Sequence, residues 1–269
     1  MKKILLIGCG HMGKALLSSW LNSKQYHITV VDPIKFKFLK NIYKNKKVKV
    51  KSSISNLDKS INFNFIIFAT RPNELNKAMD ELLNININNK TSLISVVAGK
   101  KINIFQKKFK FLNNFFRVMP NMSATVNESM NCIVTNRSSS KIKKNEVLKL
   151  FSYSGKTMFL NNEDQIDMTT AITGSGPGFI FNLIDAMEEA AINLGFKKNI
   201  ANTLVLQTFK GSIDLILNKK ISAKELVKTV ATKGGTTEAG LKIMKKNNIH
   251  RTFVDLTKAA YKKAKQQGK

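Results

Sequence analysis

Three glycines near the start of the chain stand at a spacing that suits the binding of a dinucleotide phosphate. The segment from Gly8 to Gly13 reads G-C-G-H-M-G, follows an apolar run and precedes a helix-like pattern. The first glycine permits a tight turn, the second permits close approach of a pyrophosphate, and the third permits close packing of helix on strand. Free amides at the helix start then face the phosphates. We therefore predict a dinucleotide site at this turn, formed by Gly8, Gly10, His11, Met12 and Gly13.

An acidic residue ends the second apolar run, about 20 residues beyond the glycines, where such sites hold the ribose 2′-hydroxyl. This residue is Asp32, and its position favours NAD. Lys35 and Lys37 follow directly; they either receive the 2′-phosphate of NADP or are solvated helix residues. The sequence therefore predicts NADPH or NADH as the cofactor and leaves the choice between them open.

A second candidate site is the run Gly234-Gly235-Thr236-Thr237. Two glycines before a helix start expose amide hydrogens, and the positive end of the helix dipole adds attraction for a small carboxylate. Threonines at such a position either cap the helix or donate hydrogen bonds to a ligand. Taken alone, the run favours an ordinary helix-capping turn, whereas the further motifs described below favour a substrate loop.

Other kinds of catalytic chemistry find no support in the sequence, which shows no paired carboxylates, metal-ligand cluster or Ser-His-Asp set. The histidines His11, His27 and His250 lie far apart and lack ligand spacing, so we expect no metal. Cys9 and Cys132 form neither a disulfide framework nor a metal-ligand pair, which fits a reducing, cytoplasmic location.

The first part of the chain must position the dinucleotide turn. Short apolar runs alternate there with helix-like segments, as is typical of a parallel sheet covered by helices on both faces, a Rossmann-like α/β domain. Candidate strands are 3–7, 28–31, 64–70, 92–97, 115–118, 130–135 and 156–160. Ligands bind beyond the carboxyl ends of such strands. We therefore add to the cofactor site the residues that follow two of the strands: Ala69, Thr70, Arg71, Pro72, Ala98 and Gly99.

Beyond residue 163 the strand signals end and helical periodicity takes over, which predicts a second, all-helical domain. One apolar stripe runs from Ile180 to Leu194 and stops at Gly195, and a capping box at Ser222 and Glu225 opens another helix. We place the domains at 1–162 and 163–269. The stripes are wide for a domain of this size, so we expect contact with a second subunit.

The chain has 269 residues and a formal net charge of +28, which raises the question of a nucleic-acid partner. Only four of the 45 cations are arginine, the residue with the planar fork that reads bases and phosphates in fixed geometry. We interpret the spread lysines as solvated faces and expect no nucleic-acid partner. No apolar run approaches the roughly 18–20 residues of a membrane helix, so we expect a soluble protein without a membrane partner.

Three more segments carry a family resemblance: residues 116–121 (FRVMPN), 173–177 (TGSGP) and 230–241 (VATKGGTTEAGL). Taken in order with residues 8–13 and 69–72, they resemble pyrroline-5-carboxylate reductase along the whole chain. The resemblance implies an oxidoreductase acting on a CH–NH bond, which reduces 1-pyrroline-5-carboxylate to L-proline with NAD(P)H. This is the last step of proline biosynthesis, a pathway of amino-acid biosynthesis. It also implies a homodimer or a higher homo-oligomer built from dimers.

The resemblance also implies roles for individual residues. Thr232, Gly234, Gly235 and Thr236 would hold the substrate carboxylate, and Thr237 would send its hydroxyl to the ring nitrogen as the catalytic residue. Ser175 would lie near this small-molecule substrate and Asn121 at the cofactor, whereas Arg117 is equally consistent with a structural role. One departure is that the family usually has Ser-Pro where this chain has Thr232-Lys233. The hydroxyl is kept, but the effect of this exchange on substrate affinity stays open.

Three alternative functions remain at this point. Two are enzymes of the same two-domain plan: a reductase of another cyclic imine, or a small 2-hydroxy acid dehydrogenase, which would recruit a lysine such as Lys210. The third is a nucleotide-sensing or nucleic-acid-binding module that has lost catalysis. The paired-glycine loop argues against the dehydrogenase, and the retention of both substrate loops argues against the module.

Overall fold

The computed structural model describes residues 1–44, 48–58 and 60–267. Its strands are β1 (Lys2–Ile7), β2 (Tyr26–Val31), β3 (Val48–Lys51), β4 (Phe65–Phe68), β5 (Ser92–Ser95), β6 (Asn114–Met119), β7 (Ser129–Thr135) and β8 (Gly155–Phe159). Its α-helices are α1 (His11–Leu21), α2 (Phe36–Ile42), α3 (Leu75–Leu83), α4 (Ile102–Lys108), α5 (Lys141–Ser152), α6 (Asp164–Thr169), α7 (Gly176–Asn193), α8 (Lys198–Lys219), α9 (Ala223–Val230), α10 (Thr236–Lys246) and α11 (Ile249–Gln267).

The strands form one sheet in the order β3-β2-β1-β4-β5-β6-β7-β8. All neighbours are parallel except β6 and β7, which are antiparallel. A parallel pair needs a crossover of about a dozen or more residues, and the connection from Met119 to Ser129 is shorter than that. The expected α/β domain with a Rossmann-like sheet is confirmed, and β3 is a strand that the sequence analysis missed.

Both faces of the sheet are covered, as the continuous apolar strands predict. On β1, Ile4 and Leu6 belong to one buried cluster, and Leu5 and Ile7 belong to the other. Helices α1 and α5 contribute to the first cluster, and α3 and α4 contribute to the second. Trp20 of α1 donates from its indole nitrogen to a main-chain carbonyl of α5 at 2.9 Å. This packing fixes α1 against the sheet, and with it the turn that precedes α1.

A buried ion network joins β6 to α6. Arg117 of β6 is 4% exposed, and its guanidinium lies 3.2 Å from Asp167 Oδ1 and 3.4 Å from Glu163 Oε1. The same Glu163 oxygen accepts a hydrogen bond from the amide of Ile102 at the start of α4. The structural interpretation of Arg117 therefore holds: it neutralises the buried carboxylate of Asp167 and ties three elements together.

The chain divides into two compact units, one of Met1–Gly174 with the segment that begins at Ala260, the other of Ser175–Ala259. The second unit is helical, and Ser222 opens α9 with the capping box that the sequence predicts. Within this unit α7 and α8 pack together, yet α7, α9 and α10 bury no residue. Large apolar side chains on α7 and α8 are exposed instead, among them Ile180, Phe181, Met187, Leu204, Leu206, Ile213 and Leu217. Among the described helices, none has the length and apolar content of a membrane span.

Candidate functional site

The glycine turn connects β1 directly to α1. Gly8 has φ +90°, and a Cβ on it would lie 2.7 Å from the Ala69 carbonyl oxygen. A Cβ on Gly13 would lie 2.4 Å from the Gly8 carbonyl oxygen, whereas one on Gly10 would meet nothing within 4 Å. The chain's own packing therefore requires glycine at positions 8 and 13. At position 10 it does not, and the missing side chain leaves room for a ligand.

A cavity of about 700 Å³ lies beside this turn. It is lined by the carboxyl ends of several parallel strands, as expected for an open α/β sheet. Ten of the predicted cofactor residues line it: Gly8, Gly10, His11, Met12, Asp32, Ala69, Thr70, Arg71, Pro72 and Ala98. Residues that the sequence analysis did not assign to the site also line it, including Ser52, Ser53, Lys77 and Glu81. Ser52 and Ser53 directly follow β3, so recognition of that strand would have identified them.

The carboxylate of Asp32 is buried and holds two segments of main chain together. Its Oδ2 accepts from the amide of Cys9 and its Oδ1 from the amide of Lys35, each at 2.7 Å. The first amide belongs to the glycine turn and the second to the connection between β2 and α2. Asp32 thus lies where the sequence predicts it, but its carboxylate already braces the wall of the cavity.

The Cys9 thiol is buried in the turn. Burial raises the pKa of Cys9 to about 11, and the nearby Asp32 carboxylate adds to the rise. Lys35 and Lys14 act in the opposite direction, so both ammonium groups lie within electrostatic range of this thiol. The thiol stays protonated at neutral pH and serves as a small packing group.

The cavity has the chemistry that a dinucleotide requires. No side chain caps the N-terminus of α1, so its first amides and the positive end of its dipole are available to phosphate. Thr70 Oγ1 is shielded from solvent and has no hydrogen-bond partner among the described residues. Since Thr70 lines the cavity, this unpaired hydroxyl lies in the cavity wall. Across the described residues, no cluster of three or more His, Cys, Asp or Glu side chains could hold a metal ion.

Three predicted cofactor residues lie outside the lining of this cavity. Gly13 packs on the turn, and Gly99 has a positive φ of 72° after β5. Asn121 accepts from the amide of Ser123 and donates from Nδ2 to the carbonyl of Thr173 at 3.0 Å. These contacts make Asn121 a link between the end of β6 and residues 170–174, which form a π-helical turn.

The π-helical turn leads directly into the second predicted substrate segment. Such turns are rare in proteins, and many of those that occur lie at functional sites. Ser175 precedes α7 and makes no capping hydrogen bond with its side chain, and Pro177 lies in the first turn, where a missing amide hydrogen is no loss. The hydroxyl of Ser175 is therefore not used to cap the helix.

The paired-glycine loop differs from the sequence-based expectation in one respect. The amide of Gly234 donates to Glu238 Oε2 at 2.9 Å, and the amide of Gly235 donates to the Thr232 carbonyl at 3.0 Å. The prediction that both glycine amides are free is therefore wrong in this conformation. The cause is local: Gly234 turns with φ +77°, and the acidic side chain one turn into α10 folds back onto its amide.

The amides that remain available belong to the first turn of α10. Gly235 is the N-cap of α10 and has no side chain to cap the helix. The amides of Thr236 and Thr237 lie in the first turn and therefore have no acceptor within the helix. Both threonines are exposed, and within the described part of the chain the Thr237 hydroxyl has no hydrogen-bond partner. Lys242 lies 3.3 Å from Glu238 and partly neutralises its charge. The loop can therefore offer two amides and two hydroxyls to a small anion.

Two family models match the chain. Residues 163–267 match the model described as pyrroline-5-carboxylate reductase dimerisation. Residues 3–99 match the model described as NADP oxidoreductase, coenzyme F420-dependent. The first match contains the paired-glycine loop, and the second contains the glycine turn.

Full-length relatives agree with these matches. Pyrroline-5-carboxylate reductase 2 of Bacillus subtilis is 30% identical over 262 residues, which cover 94% of this chain and 91% of the relative. The crystal structure of Plasmodium falciparum pyrroline carboxylate reductase with NADP bound superposes with a TM-score of 0.82 at 26% identity, covering 100% of this chain and 98% of that one. A pyrroline-5-carboxylate reductase structure from Coxiella burnetii gives a TM-score of 0.86 at 27% identity, covering 99% and 98%.

Proposed function

The chain belongs to the pyrroline-5-carboxylate reductase family, and from that premise we propose that it reduces 1-pyrroline-5-carboxylate to L-proline with NAD(P)H. It is an oxidoreductase acting on a CH–NH bond. The observation that supports this most is the presence of both chemical requirements on one chain: a phosphate-binding turn beside a 700 Å³ cavity, and an exposed helix start suited to a carboxylate. The dehydrogenase alternative is not favoured, and its lysine, Lys210, instead pairs with Asp214 on the surface of α8.

We assign the cofactor to the glycine turn and the cavity. The amides at the start of α1 bind the pyrophosphate, Gly10 leaves it room, and Thr70 donates its otherwise unused hydroxyl. Asp32 shapes the adenosine end of the cavity through the two hydrogen bonds that its carboxylate accepts from main-chain amides. Gly13, Gly99 and Asn121 act as supports of the turn and its surroundings in this proposal.

We assign the substrate to the loop before α10. The amides of Thr236 and Thr237 receive the substrate carboxylate, with attraction from the helix dipole and from Lys233 beside them. Thr232, Gly234 and Gly235 give the loop its shape, and Ser175 contributes its uncapped hydroxyl. Because Thr232 keeps its hydroxyl, the replacement of the family's Ser-Pro by Thr232-Lys233 leaves this scheme intact.

The reaction adds a hydride to the imine carbon and a proton to the ring nitrogen. When bound, NAD(P)H supplies the hydride. The loop holds the carboxylate and so fixes the orientation of the imine. Thr237 donates its hydroxyl to the ring nitrogen and relays a proton from water, since a threonine hydroxyl is too weak an acid to supply the proton itself.

We expect Thr237→Ala to lower kcat by about 10-fold, the loss of one positioning hydrogen bond. Thr237→Ser keeps the hydroxyl and should retain most of the activity. Steady-state rates with pyrroline-5-carboxylate measure both variants, and melting temperatures should match the unaltered protein because Thr237 is exposed. An unchanged kcat for the alanine variant would remove Thr237 from the active site.

We expect Glu238→Gln to lower KM for the substrate by about 2- to 5-fold, the size of a partly exposed charge interaction. Glutamine can still accept from the Gly234 amide, so the loop keeps its shape while the negative charge beside the substrate carboxylate is removed. Glu189→Gln on α7 is the matched control, because it makes the same charge change at an exposed site. A KM that rises, or that falls equally in both variants, would contradict this arrangement.

We further propose a homodimer or a higher homo-oligomer built from dimers, because the match to a dimerisation domain coincides with the exposed apolar side chains of α7 and α8.

We divide the chain by function into residues 1–162, which bind the cofactor, and residues 163–269, which bind the substrate and form the dimer. The last two residues lie outside the described chain. The unpaired, buried Cys9 and Cys132 support a cytoplasmic location. We assign the excess lysine to solvated surface and propose no nucleic-acid partner.

The direct test is a steady-state assay of the purified protein with NADPH and with NADH. Pyrroline-5-carboxylate, a six-membered cyclic imine and a small 2-hydroxy acid serve as parallel substrates, the last with oxidised cofactor. We expect the highest kcat/KM with pyrroline-5-carboxylate and formation of proline. A higher kcat/KM with either of the other substrates would overturn the proposed function.

A further inference from the structure

Alternate residues at the end of β6 contact the segment that runs from α6 through the π-helical turn. Arg117 forms the ion network with α6 described above. The methyl group of Met119 lies against Gly174, since a Cβ on that glycine would be 2.9 Å from Met119 Cε. Asn121 has an extended main chain, with φ −128°, and donates to the carbonyl of Thr173 at 3.0 Å. Residues two apart in extended chain share a face, so one face of this strand end holds the segment at three points.

The carbonyl of Thr173 lacks the donor that an α-helix would give it. That donor would be the amide four residues later, but the residue there is Pro177, which has no amide hydrogen. The amide of Gly178, the next residue, donates to the carbonyl of Ser175 instead. Nδ2 of Asn121 therefore supplies a donor that neither of these residues provides.

The side chain of Thr173 holds the same turn from within. Its hydroxyl donates to the carbonyl of Thr169 at 3.0 Å. Thr173 is thus bonded on both sides, through its hydroxyl to the preceding turn and through its carbonyl to Asn121. Ser175 follows two residues later, so the direction in which the main chain enters Ser175 depends on this fixed carbonyl.

We propose that Asn121 is a positioning residue of the reductase, which sets the orientation of the Ser175 hydroxyl through the carbonyl of Thr173. This inference rests on the proposed function in one respect, the assignment of Ser175 to the substrate. A positioning residue and a cofactor-binding residue differ in their effects. Loss of a positioning residue lowers the rate of substrate reduction through Ser175 alone, whereas loss of a cofactor-binding residue weakens the binding of NADPH.

The test is a double-mutant cycle between Asn121 and Ser175 on the full chain. Asn121→Ser keeps an oxygen that can accept from the amide of Ser123, as serine does at a helix N-cap, but it is too short to reach the carbonyl of Thr173. We expect Asn121→Ser and Ser175→Ala each to lower kcat/KM for pyrroline-5-carboxylate by about 10-fold, the loss of one hydrogen bond. The double variant should also lose about 10-fold rather than about 100-fold, because both changes remove the same contact.

Two further variants guard against other causes. Asn121→Asp still accepts from the amide of Ser123 but cannot donate to the carbonyl of Thr173, so it should show the same loss and the same coupling to Ser175. Asn88→Asp is the matched control, because the Asn88 side chain accepts from a main-chain amide two residues later in an exposed turn. It should leave kcat/KM unchanged. Titration calorimetry should give an NADPH affinity for Asn121→Ser within about 2-fold of that of the unaltered protein.

Losses that multiply in the double variant would overturn the positioning role, because a general structural defect acts independently of Ser175. An unchanged kcat/KM in Asn121→Ser, or an NADPH affinity that falls as much as kcat/KM does, would also overturn it. If the unaltered protein reduces pyrroline-5-carboxylate and any of these results is obtained, only this inference fails. If the unaltered protein does not reduce pyrroline-5-carboxylate, the proposed function fails and this inference fails with it.

Discussion

Replacing Arg117 by methionine is expected to lower the free energy of unfolding by about 3–5 kcal/mol, the cost of leaving a buried charge without its partner. The side chain is 4% exposed, and Asp167 beside it is 6% exposed. Water cannot replace the guanidinium at that depth. Glu163, the other partner, is more exposed and can be solvated, so most of the loss comes from Asp167. Urea denaturation at one fixed protein concentration measures the change, since the stability of an oligomer depends on concentration.

Two further variants separate the buried charge from a general loss of packing. In Arg117→Met with Asp167→Leu, no buried charge is left without a partner, because the remaining Glu163 carboxylate is partly exposed, and we expect most of the stability to return. Arg137→Met removes an exposed arginine and should change the free energy of unfolding by less than about 0.5 kcal/mol. If the double variant is no more stable than Arg117→Met alone, the ion pair does not explain the loss.

Sequence patterns predicted the elements whose formation depends on residues close together in the sequence. The glycine turn, the capping box at Ser222 and the helix that stops before Gly195 depend on residues within one or two turns of each other. The apolar strands beside the turn also follow from their own composition. Because ligands bind beyond the ends of such strands, ten of the residues that line the cavity could be named in advance.

The features that were missed depend on partners distant in sequence or on side-chain torsions. Strand β3 is a four-residue edge strand with two lysines, and it is recognisable only by its pairing with β2. Asp167 pairs with Arg117, which lies 50 residues earlier in the sequence, so no local pattern could have identified this ion pair. The Glu238 side chain could equally have pointed to solvent, and the Gly234 amide would then have been free.

Replacing Gly10 by alanine is expected to weaken cofactor binding by about 10- to 100-fold without lowering stability. A Cβ at this position meets nothing within 4 Å of the protein, and φ at Gly10 is −65°, which alanine adopts freely. The methyl group therefore enters the space that we assign to the pyrophosphate. Overpacking of about 1–3 kcal/mol against a fixed ligand gives the stated loss. Calorimetric titration with NADPH measures the affinity, and thermal unfolding measures the stability.

Gly13→Ala provides the contrast, because its Cβ would lie 2.4 Å from the Gly8 carbonyl oxygen. That variant should lose stability as well as affinity, since the main chain of the turn must move to admit the methyl group. The two glycines of one motif thus have separable roles: position 13 serves the packing of helix on strand, and position 10 serves the ligand. If Gly10→Ala bound NADPH as tightly as the unaltered protein, the pyrophosphate would not lie at this turn. The assignment of the 700 Å³ cavity to the cofactor would then be lost.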